Sequence, residues 1–190
     1  MKDFVKKYVS ELEEILDSID VKTVENIRDI LIEARENNKN IFVIGNGGSA
    51  STASHIANDL SKGVLGHTGE KNIKRFKIIS LTDNVSILTA WSNDTGYDKS
   101  FSEPLKALIN KDDVLIAISA SGNSENVLNA VEVAKQTGAR VIGLSGFDGG
   151  KLEKESDICL TAKINKYDVA EDIHLIISHI LTRWFFENLN

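Results

Sequence analysis

The sequence is poor in the features that signal export, covalent cross-linking or a chain of loosely joined parts. Cys159 is the only cysteine among 190 residues, which excludes an intrachain disulfide, and its place after "SDI" predicts a buried strand residue. Pro104 is the only proline, and no Pro-rich linker, low-complexity tract or long-period repeat divides the chain. No apolar run approaches the ~20 residues of a bilayer crossing, and the N-terminus lacks the charged start, apolar middle and small-residue cleavage site of a secretory signal. The expectation is a soluble, cytoplasmic protein. Positive charge is also short: 22 Lys and Arg against 28 Asp and Glu give a net charge of -6. Binding a nucleic-acid backbone needs a basic face, so nucleic acid is excluded as the main partner. The local cluster "KNIKRFK" (Lys71 to Lys77) reads as a solvated loop entering a strand, with attraction of an anionic ligand as its alternative role. Walker, CxxC and HExxH patterns are all missing.

A hydrophobic content of 42% in a chain of this length suits one domain with a real core. Residues 1–38 read as two N-terminal helices and residues 39–190 as an α/β unit. Phe4, Val5, Tyr8, Val9, Leu12, Ile15, Leu16 and Ile19 recur at spacings of three and four, as do Val24, Ile27, Ile30, Leu31 and Ala34. Two such stripes ahead of the first strand need something to cover, either their own domain or a second subunit. From Asn40 the chain alternates. "NIFVIG", "FKIISLT", "DVLIAIS", "RVIGLSG" and "DICLTAK" read as strands. "SASTASHIANDLSK", "VSILTAWS", "FSEPLKALIN", "SENVLNAVEVAKQTG" and the long terminal "DVAEDIHLIISHILTRWFFENL" read as helices. Near-continuous apolar strands separated by helices predict a parallel sheet covered on both faces, a three-layer, doubly wound αβα sandwich. Ligands bind such sheets at the carboxyl ends of the strands.

Two strand-turn-helix junctions there, "IGNGGSAS" and "ISASGNSEN", consist of small residues. Glycine admits a ligand close to the backbone, the helix N-terminus offers unpaired N–H groups, and serine adds donors, so an anion fits both. Ser49 and Ser124 are equally the residue type that caps helices. Gly45, Gly47 and Ala50 satisfy G-x-G-x-x-A, but the acidic residue expected roughly 20 positions on falls in "VLGHTG". A phosphorylated small molecule therefore outranks a dinucleotide.

His55 and Asp59, four apart, share one helix face. On the last helix Glu171, Asp172, His174 and His179 stand among apolar residues. Asp172 lies nearly under His179, and Glu171 is offset by roughly 80° on an ideal helix. A lone histidine in an apolar helix is a packing residue; several with carboxylates beside them suit acid-base work or Zn²⁺ binding, since imidazole and carboxylate do both.

With "GNGGSASTASHIANDL", "LTDN", "SNDTGYD", "DVLIAISASGNSENVLNAVEVAK", "GLSGFDGGKL" and "EDIHLIISH" in order, the sequence resembles the sugar isomerase (SIS) domain family and, within it, the phosphoheptose isomerases. The resemblance implies a homotetramer with active sites between subunits. It implies an aldose-ketose isomerase that converts sedoheptulose 7-phosphate, or a related sugar phosphate, to D-glycero-D-manno-heptose 7-phosphate for lipopolysaccharide or capsule. It assigns the phosphate to Asn46, Gly47, Gly48 and Ser49 and to Ser119, Ala120, Ser121 and Ser124, and sugar contacts to Asn93, Asp94, Asp168 and Glu171. A catalytic zinc would fall to His55, Asp59, Glu171 and His179, with His179 and Asp59 transferring protons. Asp59 stands where the family has glutamate, Glu171 where it has glutamine, and Ala120 where a hydroxyl residue is common. A non-catalytic phosphosugar-binding or adaptor protein is the alternative, and it has no use for the four zinc-type residues.

Overall fold

The computed structural model describes residues 1–65 and 74–189. Two helices, α1 (Lys2–Ser18) and α2 (Val21–Glu36), precede strand β1 (Asn40–Gly45) and α3 (Gly48–Ser61). Then come β2 (Lys77–Ser80), α4 (Val85–Thr95), α5 (Ser102–Lys106), β3 (Val114–Ser119), α6 (Glu125–Thr137), β4 (Arg140–Gly146), α7 (Gly150–Glu155), β5 (Ile158–Ala162) and α8 (Tyr167–Asn188). The five strands form one sheet in the order β2-β1-β3-β4-β5, parallel throughout.

Strand alternation divides the core. Ile41, Val43, Val114, Ile116 and Ile118 meet α2, α3 and α8 on one face. Phe42, Ile44, Leu115 and Ala117 meet α5, α6 and Leu152 of α7 on the other. Every residue of β3 is buried, which is why the central strands carry unbroken apolar runs, whereas the edge strands β2 and β5 are only partly covered. β1 and β3 are neighbours whose outgoing connections run to opposite sides of the sheet. The crevice beyond Gly45 and Ser119 is thus the topological switch point where open α/β sheets bind ligands.

Several expectations change in detail. Cys159 does lie on β5 but is half-buried, because an edge strand has a neighbour on one side only; burial still pushes its thiol up. β2 and α5 are shorter than their apolar runs, and α4 continues to Thr95. α7 has no periodic signature because it is six residues long and starts at Gly150, whose φ is 57°. "VLGHTG" beyond Leu65 and the first three residues of the basic cluster, Lys71 to Ile73, fall outside the described residues. Within the rest of the basic cluster, Lys74 pairs with Glu36 at 3.5 Å, and its carbonyl accepts from Arg35 Nε. No described helix is long and apolar enough to cross a membrane.

Candidate active site

The first turn starts where β1 ends. Gly47 caps α3 at φ 55°, ψ -122°, a backbone geometry that L side chains resist. A Cβ there would touch nothing within 4 Å, so the position opens to the ligand crevice. At Gly48 a Cβ would instead run into the carboxylate of Glu171. That places the α8 carboxylate directly over the first residue of α3. Ser49 is buried inside the first helical turn rather than at the cap.

The second turn repeats the arrangement. Ser119, buried at the end of β3, donates to Ser124 Oγ at 3.0 Å, and Ser121 Oγ accepts from Asn123 N at 3.2 Å. Ala120 is buried with its carbonyl held by Gly146 N. Ser124 precedes α6, yet neither α3 nor α6 receives a side-chain capping bond. The capping role open to Ser49 and Ser124 is therefore not realised, and both helix N-termini keep donors available for an anion.

Asn126, which the motifs did not single out, bridges the two turns. Its Nδ2 donates to Asn46 Oδ1 at 2.9 Å and its Oδ1 accepts from Asn46 Nδ2 at 2.8 Å. The available signal was a polar residue in register with the buried Ala130 and Ala134 of α6.

The histidines are set by two helical stripes. Val169, Ile173, Ile177, Leu181 and Phe185 bury one side of α8, and Thr52, Ala53, Ile56 and Leu60 bury one side of α3. His55 and Asp59 are left on the flank of α3, facing His179 on the flank of α8. His179 Nε2 lies 2.9 Å from His55 Nε2, and Asp59 Oδ2 lies 3.3 Å from His55 Nε2 and 3.6 Å from His179 Nε2. The rings meet edge to face at 65°. Among the described residues this is the one group of three or more candidate donors within mutual reach of a cation. The fit to zinc is good: tetrahedral Zn²⁺ with bonds of roughly 2.0–2.1 Å spaces its ligand atoms about 3.3 Å apart, and its preferred ligands are imidazole and carboxylate.

Glu171 is not in that group. Its carboxylate lies at Gly48, against the start of α3. Burial, with the nearby charges of Asp172 and Asp168, holds its carboxyl above the ordinary value. Asp172 points elsewhere and accepts from the Tyr8 hydroxyl of α1 at 2.7 Å, which keeps that phenol protonated beyond its normal range. His174 belongs to the core: it is fully buried, its Nε2 donates to the Ser145 carbonyl at 2.8 Å, and burial lowers its pKa to about 4. Asn93 and Asp94 are exposed on α4, bonded to each other at 2.8 Å, and Asp168 is exposed in the first turn of α8. Among the described residues no hydrogen bond joins these three to either turn or to the histidine cluster.

A parallel sheet with two glycine-serine turns at its switch point is the architecture of a sugar-phosphate-binding domain. The family model described as the SIS domain matches residues 6–146, and the chain belongs to that family. It falls among the phosphoheptose isomerases. The phosphoheptose isomerase of Helicobacter pylori (strain P12) is 40% identical over 182 residues, covering 95% of this chain and 87% of the relative. That of Aneurinibacillus thermoaerophilus is 33% identical over 187 residues, covering 95% and 91%. Among solved structures, the phosphoheptose isomerase of Francisella tularensis superposes with a TM-score of 0.88 at 28% identity, covering 98% of this chain and 96% of its own. That of Neisseria gonorrhoeae gives 0.86 at 29%, covering 97% and 95%.

Proposed function

We propose that this protein interconverts sedoheptulose 7-phosphate and D-glycero-D-manno-heptose 7-phosphate. The observation that carries the reading is the meeting of His55, Asp59 and His179 across α3 and α8, on the helix that leaves the first anion-binding turn. The relatives bear the name of this activity.

Such an isomerisation moves one proton between C1 and C2 and another between their oxygens, through an enediol. It therefore needs a base, an acid and a stabiliser for the developing oxyanion. In this account the 7-phosphate sits in the two turns. It takes the N–H groups of Gly47, Gly48, Ser49 and Ala120 and the hydroxyls of Ser121 and Ser124, with Ser119 donating to Ser124 Oγ from behind, while the Asn46 amide donates beside them. The other end of the open-chain sugar then reaches toward α8. His179 and Asp59 handle the protons. Asp59 turns Oδ2 to both imidazoles, and its Oδ1 accepts from Asn58 Nδ2 at 3.2 Å, so the second lone pair of Oδ1 is the one available for transfer. An Nε2 lone pair committed to a cation cannot take a proton, so His179 acts as a base only when that atom is free. His55, Asp59 and His179 would hold a zinc ion, whose contribution when bound is Lewis-acid polarisation of the sugar carbonyl. Glu171, over Gly48, is assigned to the sugar rather than to zinc.

The proposal includes a homotetramer. Phe4, Val5 and Val9 of α1 are 68%, 51% and 45% exposed, and α4 buries none of its residues although Val85 and Ile87 are 67% and 44% exposed. A partner on these faces would also enclose Asn93, Asp94 and Asp168, giving them a sugar to bind. The reading is tested by offering sedoheptulose 7-phosphate and sedoheptulose side by side. Formation of an aldoheptose from the phosphorylated sugar is expected, and equal conversion of the unphosphorylated one contradicts the role given to the two turns.

A further inference from the structure

The amide of Asn46 is held by a network that leaves it a single open valence. A primary amide has two N–H donors and an oxygen with two lone pairs. Asn46 Oδ1 accepts from Asn126 Nδ2 at 2.9 Å and from the Tyr97 hydroxyl at 2.7 Å, which fills the oxygen. Asn46 Nδ2 spends one hydrogen on Asn126 Oδ1 at 2.8 Å. What remains is one N–H at the switch point, a donor suited to a phosphate or sugar oxygen. Asn126 is itself fixed, for its second N–H goes to Ser100 Oγ at 3.1 Å, and both Asn126 and Ser100 are buried. One turn further along α6, Asn129 Nδ2 donates to the Asp98 carbonyl at 2.9 Å, fastening the segment that carries Tyr97 and Ser100. Two asparagines three apart on α6 thus clamp that segment against the first ligand turn.

We propose that Asn126 and Tyr97 are positioning residues for the substrate phosphate, acting through Asn46 by fixing its amide with the N–H outward. The inference rests on the phosphosugar reading above. Without Asn126 the Asn46 amide can rotate and present its oxygen, which repels an anion. The lost donor and the misdirected acceptor together put the effect on affinity rather than on the proton-transfer step. Asn126→Ala removes both amide bonds, and Tyr97→Phe removes one hydroxyl from a half-exposed ring with little risk to folding.

The test measures binding of sedoheptulose 7-phosphate and of inorganic phosphate by calorimetry on chelator-treated full-length protein, then KM and kcat on the zinc-loaded protein. Asn126→Ala is expected to weaken both ligands roughly tenfold, the equivalent of one well-placed hydrogen bond. KM should rise in step and carry more of the loss than kcat. Tyr97→Phe should shift affinity the same way by a smaller factor. In an Asn46→Ala background neither substitution should weaken binding further, because residues acting through one partner are not additive. Wild-type affinity in both variants, or full additivity with Asn46→Ala, overturns the inference and leaves the phosphosugar reading standing. An unaltered protein that binds neither probe overturns that reading and the inference with it.

Discussion

The Nε2 atoms of His55 and His179, 124 residues apart in sequence, lie 2.9 Å from each other across the contact of α3 and α8, with Asp59 Oδ2 closing the triangle. Two imidazole nitrogens this close, with a carboxylate oxygen beside both, form a ready-made seat for a cation. The backbone dictates the meeting: α3 is led out of β1 by the glycine turn, and α8 is locked in place by its buried 169/173/177/181/185 stripe. Loosening that stripe should open the site before it unfolds the protein. Ile173→Ala is expected to cost roughly 2–5 kcal/mol and to lower zinc affinity in the folded protein, measured by denaturant unfolding and metal titration.

His179→Gln keeps a polar side chain but removes the only atom of residue 179 that can take a proton at this site. Exchange of the C1 or C2 hydrogen should fall by a factor of about a hundred or more, while sedoheptulose 7-phosphate still binds. Retained exchange takes His179 out of the mechanism.

Zinc content separates the carboxylates. Asp59→Ala and His55→Ala should each lose bound zinc under dialysis against a weak chelator. Glu171→Ala and Asp172→Ala should keep the wild-type amount, because the first carboxylate lies at Gly48 and the second accepts from Tyr8. Zinc loss in Glu171→Ala, measured by atomic emission, would restore it as a ligand.

How far the sequence reaches is visible in these residues. The strands, the switch-point turns and the shared face of His55 and Asp59 follow from apolar runs, glycine placement and helical spacing, all local properties. The pairing of His179 with Asp59 comes from the family resemblance and not from spacing, because helix spacing on α8 favours Asp172 beneath His179 and only the docking of α8 on α3 brings in Asp59. Glu171 as a zinc ligand came from family position, and the side chain reaches Gly48 in this structure. Asn126 stayed hidden because its chemistry is a pairing with Asn46 across 80 residues. α7 left no trace, being too short for a period to show.

Gly48→Ala isolates the position of Glu171. Alanine favours a helix over glycine by about 1 kcal/mol, and the group in its way is the end of a flexible side chain, so the melting temperature should change little. The displaced Glu171 should raise KM for the sugar phosphate, Glu171→Ala should do the same, and the double variant should be no worse than the poorer single one. A melting-temperature collapse with unchanged KM contradicts this.

His174 links stability to pH. Its folded pKa of about 4 lies below the ordinary 6.5, so in that interval the unfolded chain binds a proton that the folded chain refuses. The stability it permits is complete above pH 6.5 and is lost as pH falls toward 4, by an amount on the order of 3 kcal/mol. As pH falls across that range the unfolding free energy of the wild type should drop relative to that of His174→Leu, which has no ring to protonate. Parallel curves would contradict the burial of a neutral ring.

The most direct test of the central claim is proton NMR of sedoheptulose 7-phosphate in D₂O with the metal-stripped protein and again after zinc loading. Zinc-dependent deuterium incorporation at C1 or C2, with aldoheptose signals growing in, is the result this account predicts. Binding of the phosphosugar with no incorporation in either state would contradict it and leave a phosphosugar-binding protein without isomerase chemistry.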